Sequence, residues 1–279
     1  MTIKVLATDM DGTLLTSNMD YDRERFERLF QVMQEKGIRF VAISGNQYYQ
    51  IKSFFPNLQD KITIVGENGA YIVENGIFLK SYRLPNEIVR TVLDYLREHD
   101  MDDELVLCGE ASAYILKSAK PEAKDYFALY YHNLIEVDAF EFLPADHFMK
   151  FSFNTPEEVT MDIIAHLNDL LGDQVQAVSS GHDNIDVIAK GIHKGAAMTY
   201  LLDYWGISSN QLAAFGDGGN DLEMIELAKY SYAMENGSQA AKDAAKFIAP
   251  SNDVSGVMEI IEKLLKDNKL KEMISEIRN

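Results

Sequence analysis

The first apolar run, Ile3-Lys4-Val5-Leu6-Ala7-Thr8, is short enough to be a buried strand, and it stops at Asp9-Met10-Asp11-Gly12-Thr13. The period then changes. Phe26, Leu29, Phe30 and Met33 fall at i, i+3, i+4 and i+7 and Gly37 follows, which predicts a helix over 22–36. Residues 38–43 predict a second strand, ending at Ser44-Gly45-Asn46, and 61–65 a third. Residues 71–73 and 77–79, joined through Asn75-Gly76, predict a hairpin. This alternation implies a parallel sheet with helices on its faces.

The pattern shifts near Leu84-Pro85-Asn86. Helices are predicted over 87–98, 121–131 and 156–171, among short strands at 105–108, 114–116, 135–137, 149–153, 175–177 and 185–188. Hairpins mixed with helices suggest an α+β module with an antiparallel sheet. From Lys194 the first style returns. A helix over 195–205 closes at Gly206, and a strand over 212–215 ends at Gly216-Asp217-Gly218-Gly219-Asn220-Asp221. A helix over 221–228, a strand over 247–249 and a helix over 254–265 complete the pattern. The expected class is α/β: a Rossmann-like parallel-sheet core from 1–83 and 190–279, with an α+β cap inserted at 84–189.

Three polar turns each follow a predicted core strand: Asp9/Asp11, Ser44/Gly45 and Asp217/Asn220/Asp221. Ligands of open α/β sheets bind at the carboxyl ends of strands. Neighbouring buried carboxylates repel, so they persist with a metal, a shared proton or a catalytic role. An EF-hand loop starting at Asp9 fails, because its sixth position must be Gly and is Leu14. A structural turn accounts for Gly12 but not for two acids after an apolar strand. An aspartate nucleophile with a second aspartate as acid/base accounts for both.

Asp221 alone could be a helix cap, a reading that explains Asp217 less well. Paired with Asp9, Asp217 offers a second carboxylate to a hard cation such as Mg²⁺. Ser44 could simply end a strand; at the active edge its hydroxyl and the Gly45 amide suit a phosphate oxygen. A lone lysine is usually a solvated surface charge, and Lys194 is singled out only by its place at the return to the core. The glycine-rich run at 216–221 lacks dinucleotide-fingerprint spacing. Cys108 lacks the Arg at 114 of a cysteine-phosphatase loop, Tyr114 standing there. No serine nucleophile elbow or P-loop occurs, and the six histidines lack metal-ligand spacing.

Composition narrows the partners. A formal net charge of −18 argues against nucleic acid or an anionic membrane. One cysteine excludes an intrachain disulfide and suits a reducing compartment. With no signal-peptide pattern and no apolar run of about 20 residues, a cytoplasmic protein is expected. At 279 residues two domains are a fair prior. No heptad or apolar stripe predicts an oligomer.

Asp9-Met10-Asp11-Gly12-Thr13, Ser44-Gly45-Asn46, Lys194 and Gly216–Asp221 resemble the four ordered motifs of the haloacid dehalogenase superfamily. The insertion resembles the large cap of its Cof-type branch, as does Glu67-Asn68-Gly69-Ala70. The segments 44–50, 53–56 and Ser180-Gly181-His182-Asp183-Asn184-Ile185-Asp186 are similar to bacterial sugar phosphatases of that branch. The resemblance implies a Mg²⁺-dependent phosphatase of small phosphorylated metabolites, sugar phosphates first. Asp9 is then the nucleophile, forming an aspartyl-phosphate, and Asp11 the general acid/base. Asp9, Asp217 and the Asp11 main-chain carbonyl hold the metal, supported by Asn220 and Asp221. Ser44, Gly45, Lys194 and Asn220 bind phosphate. Asn46 stands where many Cof-type proteins carry Arg and is retained as a candidate substrate contact, leaving Lys194 the main cation. Glu110, Ser112 and His182 are cap candidates. Asp11 favours phosphoryl transfer over dehalogenation; a sugar phosphomutase and a non-catalytic sugar-phosphate binding protein are the alternatives.

Overall fold

The protein is described by a computed structural model covering residues 3–181 and 184–277. The chain opens with β1 (Val5–Thr8), α1 (Arg23–Glu35), β2 (Arg39–Ile43), α2 (Tyr48–Ser53), β3 (Thr63–Gly66), β4 (Tyr71–Glu74) and β5 (Ile77–Ser81). There follow α3 (Asn86–Glu98), β6 (Leu105–Gly109), β7 (Ala113–Leu116), α4 (Pro121–Ala128), β8 (Leu134–Val137), β9 (Phe148–Asn154), α5 (Glu157–Leu171), β10 (Val175–Gly181) and β11 (Asn184–Ala189). The last stretch gives α6 (Lys194–Trp205), β12 (Leu212–Gly216), α7 (Leu222–Leu227), β13 (Tyr230–Met234), α8 (Gln239–Ala244), β14 (Phe247–Ala249) and α9 (Gly256–Ile277).

Among the described residues these strands form two sheets. The first has the order β14-β13-β12-β1-β2-β3-β4-β5, parallel from β14 to β3 and antiparallel through the β4–β5 hairpin. Alternation along β1 explains its burial on both faces. Leu6 joins the cluster containing Phe26 of α1 and Val257 of α9, while Val5 and Ala7 join that of Met198 of α6 and Met224 of α7. The second sheet, β10-β11-β9-β6-β7-β8, comes wholly from chain between β5 and β12. Its apolar cluster includes Val92 and Leu96 of α3 and Leu167 of α5.

Three expectations need correction. The second sheet is mixed, because α4 crosses over between β7 and β8 and leaves them parallel. β13, α2 and α8 were not anticipated. Tyr230–Met234 is recognisable through its pairing with β12 and β14 rather than its composition, and α2 and α8 have only six residues each. The closing helix continues past Leu265 to Ile277.

Candidate active site

β12, β1 and β2 are adjacent and parallel, so the turns after them share one sheet edge. The Asp9 amide donates to the Phe215 carbonyl at 3.0 Å, carrying the β1–β12 ladder to the edge itself. The chain then makes a wide turn in which the Leu14 and Leu15 amides bond the Asp9 and Met10 carbonyls. Gly12 has φ +70°, and a Cβ there would lie 2.6 Å from Asp217 Oδ2. Glycine thus lets the first turn lie against the third. Thr13 Oγ1 donates to Asp217 Oδ1 at 2.9 Å, tying them together.

Lys194, the first residue of α6, is buried between two of the carboxylates. Its Nζ donates to Asp9 Oδ1 at 2.5 Å and to Asp221 Oδ1 at 2.7 Å. The other oxygen of Asp221 accepts the Asp217 and Gly218 amides, each at 2.9 Å, and so fixes the loop carrying Asp217. Ser44 is buried after β2, and its Oγ accepts the Asn46 amide at 3.1 Å. Asn46 Nδ2 donates to Asp11 Oδ2 at 2.6 Å. Asp11 Oδ1 is buried without a hydrogen-bond partner.

The electrostatics follow from burial. Desolvation pushes the Asp9 carboxyl well up; Lys194 opposes this, and Asp221, Asp217 and Asp11 add to it. Desolvation also raises Asp11, against the Asn46 hydrogen bond and the Lys194 charge. Asp217 is raised by desolvation and by Asp221, against Thr13. Burial pulls Lys194 down, but Asp221 and Asp9 outweigh it and its net shift is upward.

One ammonium therefore faces four carboxylates. Oxygens of Asp9, Asp217 and Asp221 lie within 4.8 Å of one another, an all-oxygen set suited to a hard cation. Because Asp221 already holds Lys194 and two amides, Asp9 and Asp217 are the better placed to ligate a metal.

The structure thus gathers Asp9, Asp11, Asp217, Asp221, Lys194, Ser44 and Asn46 at one edge. Asn220 is more exposed; its Nδ2 donates to Asn68 Oδ1 at 3.1 Å. Asn46 binds Asp11, a positioning contact that the sequence did not indicate. Glu110 pairs with Arg83 and Ser81, and the Ser112 amide faces Asp146, so the contacts of both are away from the acidic turns. His182 lies outside the described residues.

Sequence reasoning missed Thr13 as the Asp217 anchor, and Lys150, whose Nζ donates to the Gly45 carbonyl at 2.9 Å. It also missed Asn68 as a link. Asn68 accepts from Asn220 and donates to Asp186 Oδ2 at 3.2 Å. Thr13 follows the aspartates directly, and polar Lys150, Ser152 and Asn154 alternate with Phe151 and Phe153, which was the available signal.

The chain belongs to the haloacid dehalogenase-like hydrolases, whose family pattern it matches over residues 6–261. Among individual proteins it is 41% identical over 266 residues to the 5-amino-6-(5-phospho-D-ribitylamino)uracil phosphatase YbjI of Escherichia coli (strain K12), covering 95% of this chain and 97% of that one. It is 29% identical to YwtE of Bacillus subtilis (strain 168), also a 5-amino-6-(5-phospho-D-ribitylamino)uracil phosphatase, over 94% and 98% of the two chains. The crystal structure of SMU.1108c from Streptococcus mutans UA159 matches with a TM-score of 0.88 and 38% identity, over 95% of this chain and all of that one.

Proposed function

We propose that the protein is a Mg²⁺-dependent phosphatase of small phosphorylated metabolites, sugar and polyol phosphates first. The observation that carries this reading is Asp9: buried at the end of β1, bonded to Lys194, clustered with Asp217, and two residues from an acid with one unpartnered oxygen. The names of the E. coli and B. subtilis relatives support it, since their substrate carries its phosphate on a ribityl chain.

In this reading an Asp9 carboxylate oxygen attacks phosphorus, and the bond from phosphorus to the ester oxygen breaks. Asp11 gives its proton to the departing alkoxide. Its raised pKa keeps that proton available. Water then attacks the aspartyl-phosphate, Asp11 takes the water's proton, and phosphate leaves with Asp9 regenerated. Lys194, the Ser44 hydroxyl and the Gly45 amide hold the phosphoryl oxygens, with Asn220 beside them. Asp9, Asp217 and the Asp11 carbonyl are the proposed metal ligands, with Asp221 and Asn220 supporting them. A bound Mg²⁺ supplies positive charge that lets an anionic nucleophile approach an anionic ester.

Residues 84–189 are proposed to act as a cap that excludes bulk water, on a core of 1–83 and 190–279. The single, buried Cys108 supports a reducing, cytoplasmic setting.

The test is phosphate release from a panel of sugar, polyol and triose phosphates, with Mg²⁺ and with EDTA. Release that requires Mg²⁺ and is lost in Asp9→Asn is expected. A folded protein that releases no phosphate from any of them contradicts the reading, and transfer back to sugar would make it a mutase.

A further inference from the structure

Where β9 and β11 turn toward the first sheet, they carry a run of polar residues that is nevertheless buried. Along β9 and β11, Phe151, Phe153, Ile185 and Val187 enter the apolar cluster with α3 and α5. Lys150, Ser152, Asn184 and Asp186 alternate with them on the opposite face. Such a face ordinarily meets water, but these four residues are between 2% and 8% exposed.

Lys150 and Lys194 are the two buried lysines among the described residues. Lys194 serves the carboxylates, whereas Lys150 crosses from the second sheet into loops of the first. Its Nζ lies 2.7 Å from Glu67 Oε2 and 3.8 Å from Asp186 Oδ2, and donates to the Gly45 carbonyl at 2.9 Å. That carbonyl shares its peptide with the Asn46 amide, which donates to Ser44 Oγ. The ammonium therefore fixes one peptide plane between Ser44 and the side chain that holds Asp11. A second tie runs from Asp186 through Asn68 to Asn220, on the Asp217 loop. Glu67 and Asn68 adopt φ of +53° and +55°, left-handed backbone for which non-glycine residues pay unless their surroundings hold them there. Burying a lysine is costly unless its charge is paired and its donors used, so the cluster is built around this contact.

We propose that Lys150 is a positioning residue that completes the Ser44–Asn46 phosphate loop from the inserted module, so that the loop takes its binding geometry only when the module is closed. The inference rests on the phosphatase reading above.

Cys108, the only cysteine, gives the experiment a native reporter. It is buried on β6 opposite Lys150, the residue whose ammonium meets Glu67 across the seam. Wild type, Lys150→Arg, Lys150→Met and Lys150→Met/Glu67→Gln are compared. The double variant removes both members of the ion pair, and carries the test if Lys150→Met alone fails to fold. Three quantities are read with Mg²⁺ present: calorimetric affinity for inorganic phosphate, the rate at which a soluble disulfide reagent modifies Cys108 with and without phosphate, and kcat and KM for phosphate release.

In the wild type, phosphate should slow Cys108 modification on the order of tenfold. Both Met variants should lose that protection and bind phosphate about 10- to 100-fold more weakly, with KM rising more than kcat falls. Lys150→Arg should recover part of both. Wild-type affinity and protection in either Met variant overturn the proposal. Full recovery in the double variant also overturns it, because Lys150 would then only neutralise Glu67. A wild type that neither binds nor releases phosphate defeats the functional reading, and this proposal with it; a competent wild type matched by its variants defeats this proposal alone.

Discussion

The two oxygens of Asp11 are treated differently. Oδ2 accepts from Asn46 and Oδ1 has no partner, while burial raises the carboxyl above its ordinary value of 3.8. The Asn46 bond favours the ionised form, so its loss should raise the pKa further. A general acid is lost as pH rises through its pKa. Asn46→Ala should therefore shift the decline of kcat/KM to higher pH, which a pH profile of phosphate release checks. Asp11→Asn should lower kcat by about 10²- to 10⁴-fold with the fold intact. Asp9, Asp11 and Asp217 are all raised, so these carboxyls hold more protons in the folded chain than in the unfolded one, and their contribution to stability falls as pH climbs above 3.8. The Tm of EDTA-treated protein should drop between about pH 5 and about pH 8, and Mg²⁺ should flatten that slope. A Tm that rises over the same interval without metal would contradict the arrangement. Asp9, Asp11, Asp217 and Lys194 could be picked out in the sequence because each stands where an apolar strand ends or a helix begins. Lys150 could not, because its partners Gly45 and Glu67 are distant in sequence.

Strands and turns carry the site in separable ways. The turn after β1 depends on Gly12, where a Cβ would strike Asp217 and the backbone is left-handed. Gly12→Ala should cost about 1–3 kcal/mol of stability and weaken Mg²⁺ binding, measured by denaturant unfolding and metal titration. On β9 the two faces answer to different demands. Phe153→Ala should cost about 3–5 kcal/mol, since it empties a fully buried position in the second sheet's cluster. An alternating pattern predicts that strand correctly, but assigns its polar side to solvent. The burial of that side is set by the opposing loops, which periodicity along β9 does not contain. β13 was hidden for a related reason, since Tyr-Ser-Tyr-Ala-Met is held by neighbours on both edges rather than by its own hydrophobicity. The Asn75-Gly76 hairpin was legible because its turn chemistry is local.

Across the whole molecule, strand order converts sequence-distant turns into one site. Placing β1 between β12 and β2 brings Asp217 and Ser44 to either side of Asp9, an arrangement the βα alternation anticipates. The parallel β7–β8 pair is not legible in the sequence, because a helix among short strands carries no local mark that it crosses over rather than links a hairpin. The account as a whole turns on whether the Asp9 carboxylate takes up the phosphoryl group. The direct measurement is acid quenching of the protein during turnover of a sugar phosphate with Mg²⁺, followed by peptide mass spectrometry. A phosphoryl increment on the peptide carrying Asp9, absent in Asp9→Asn, is the expected result. Sustained turnover with no increment there, or with the increment on another residue, would contradict it.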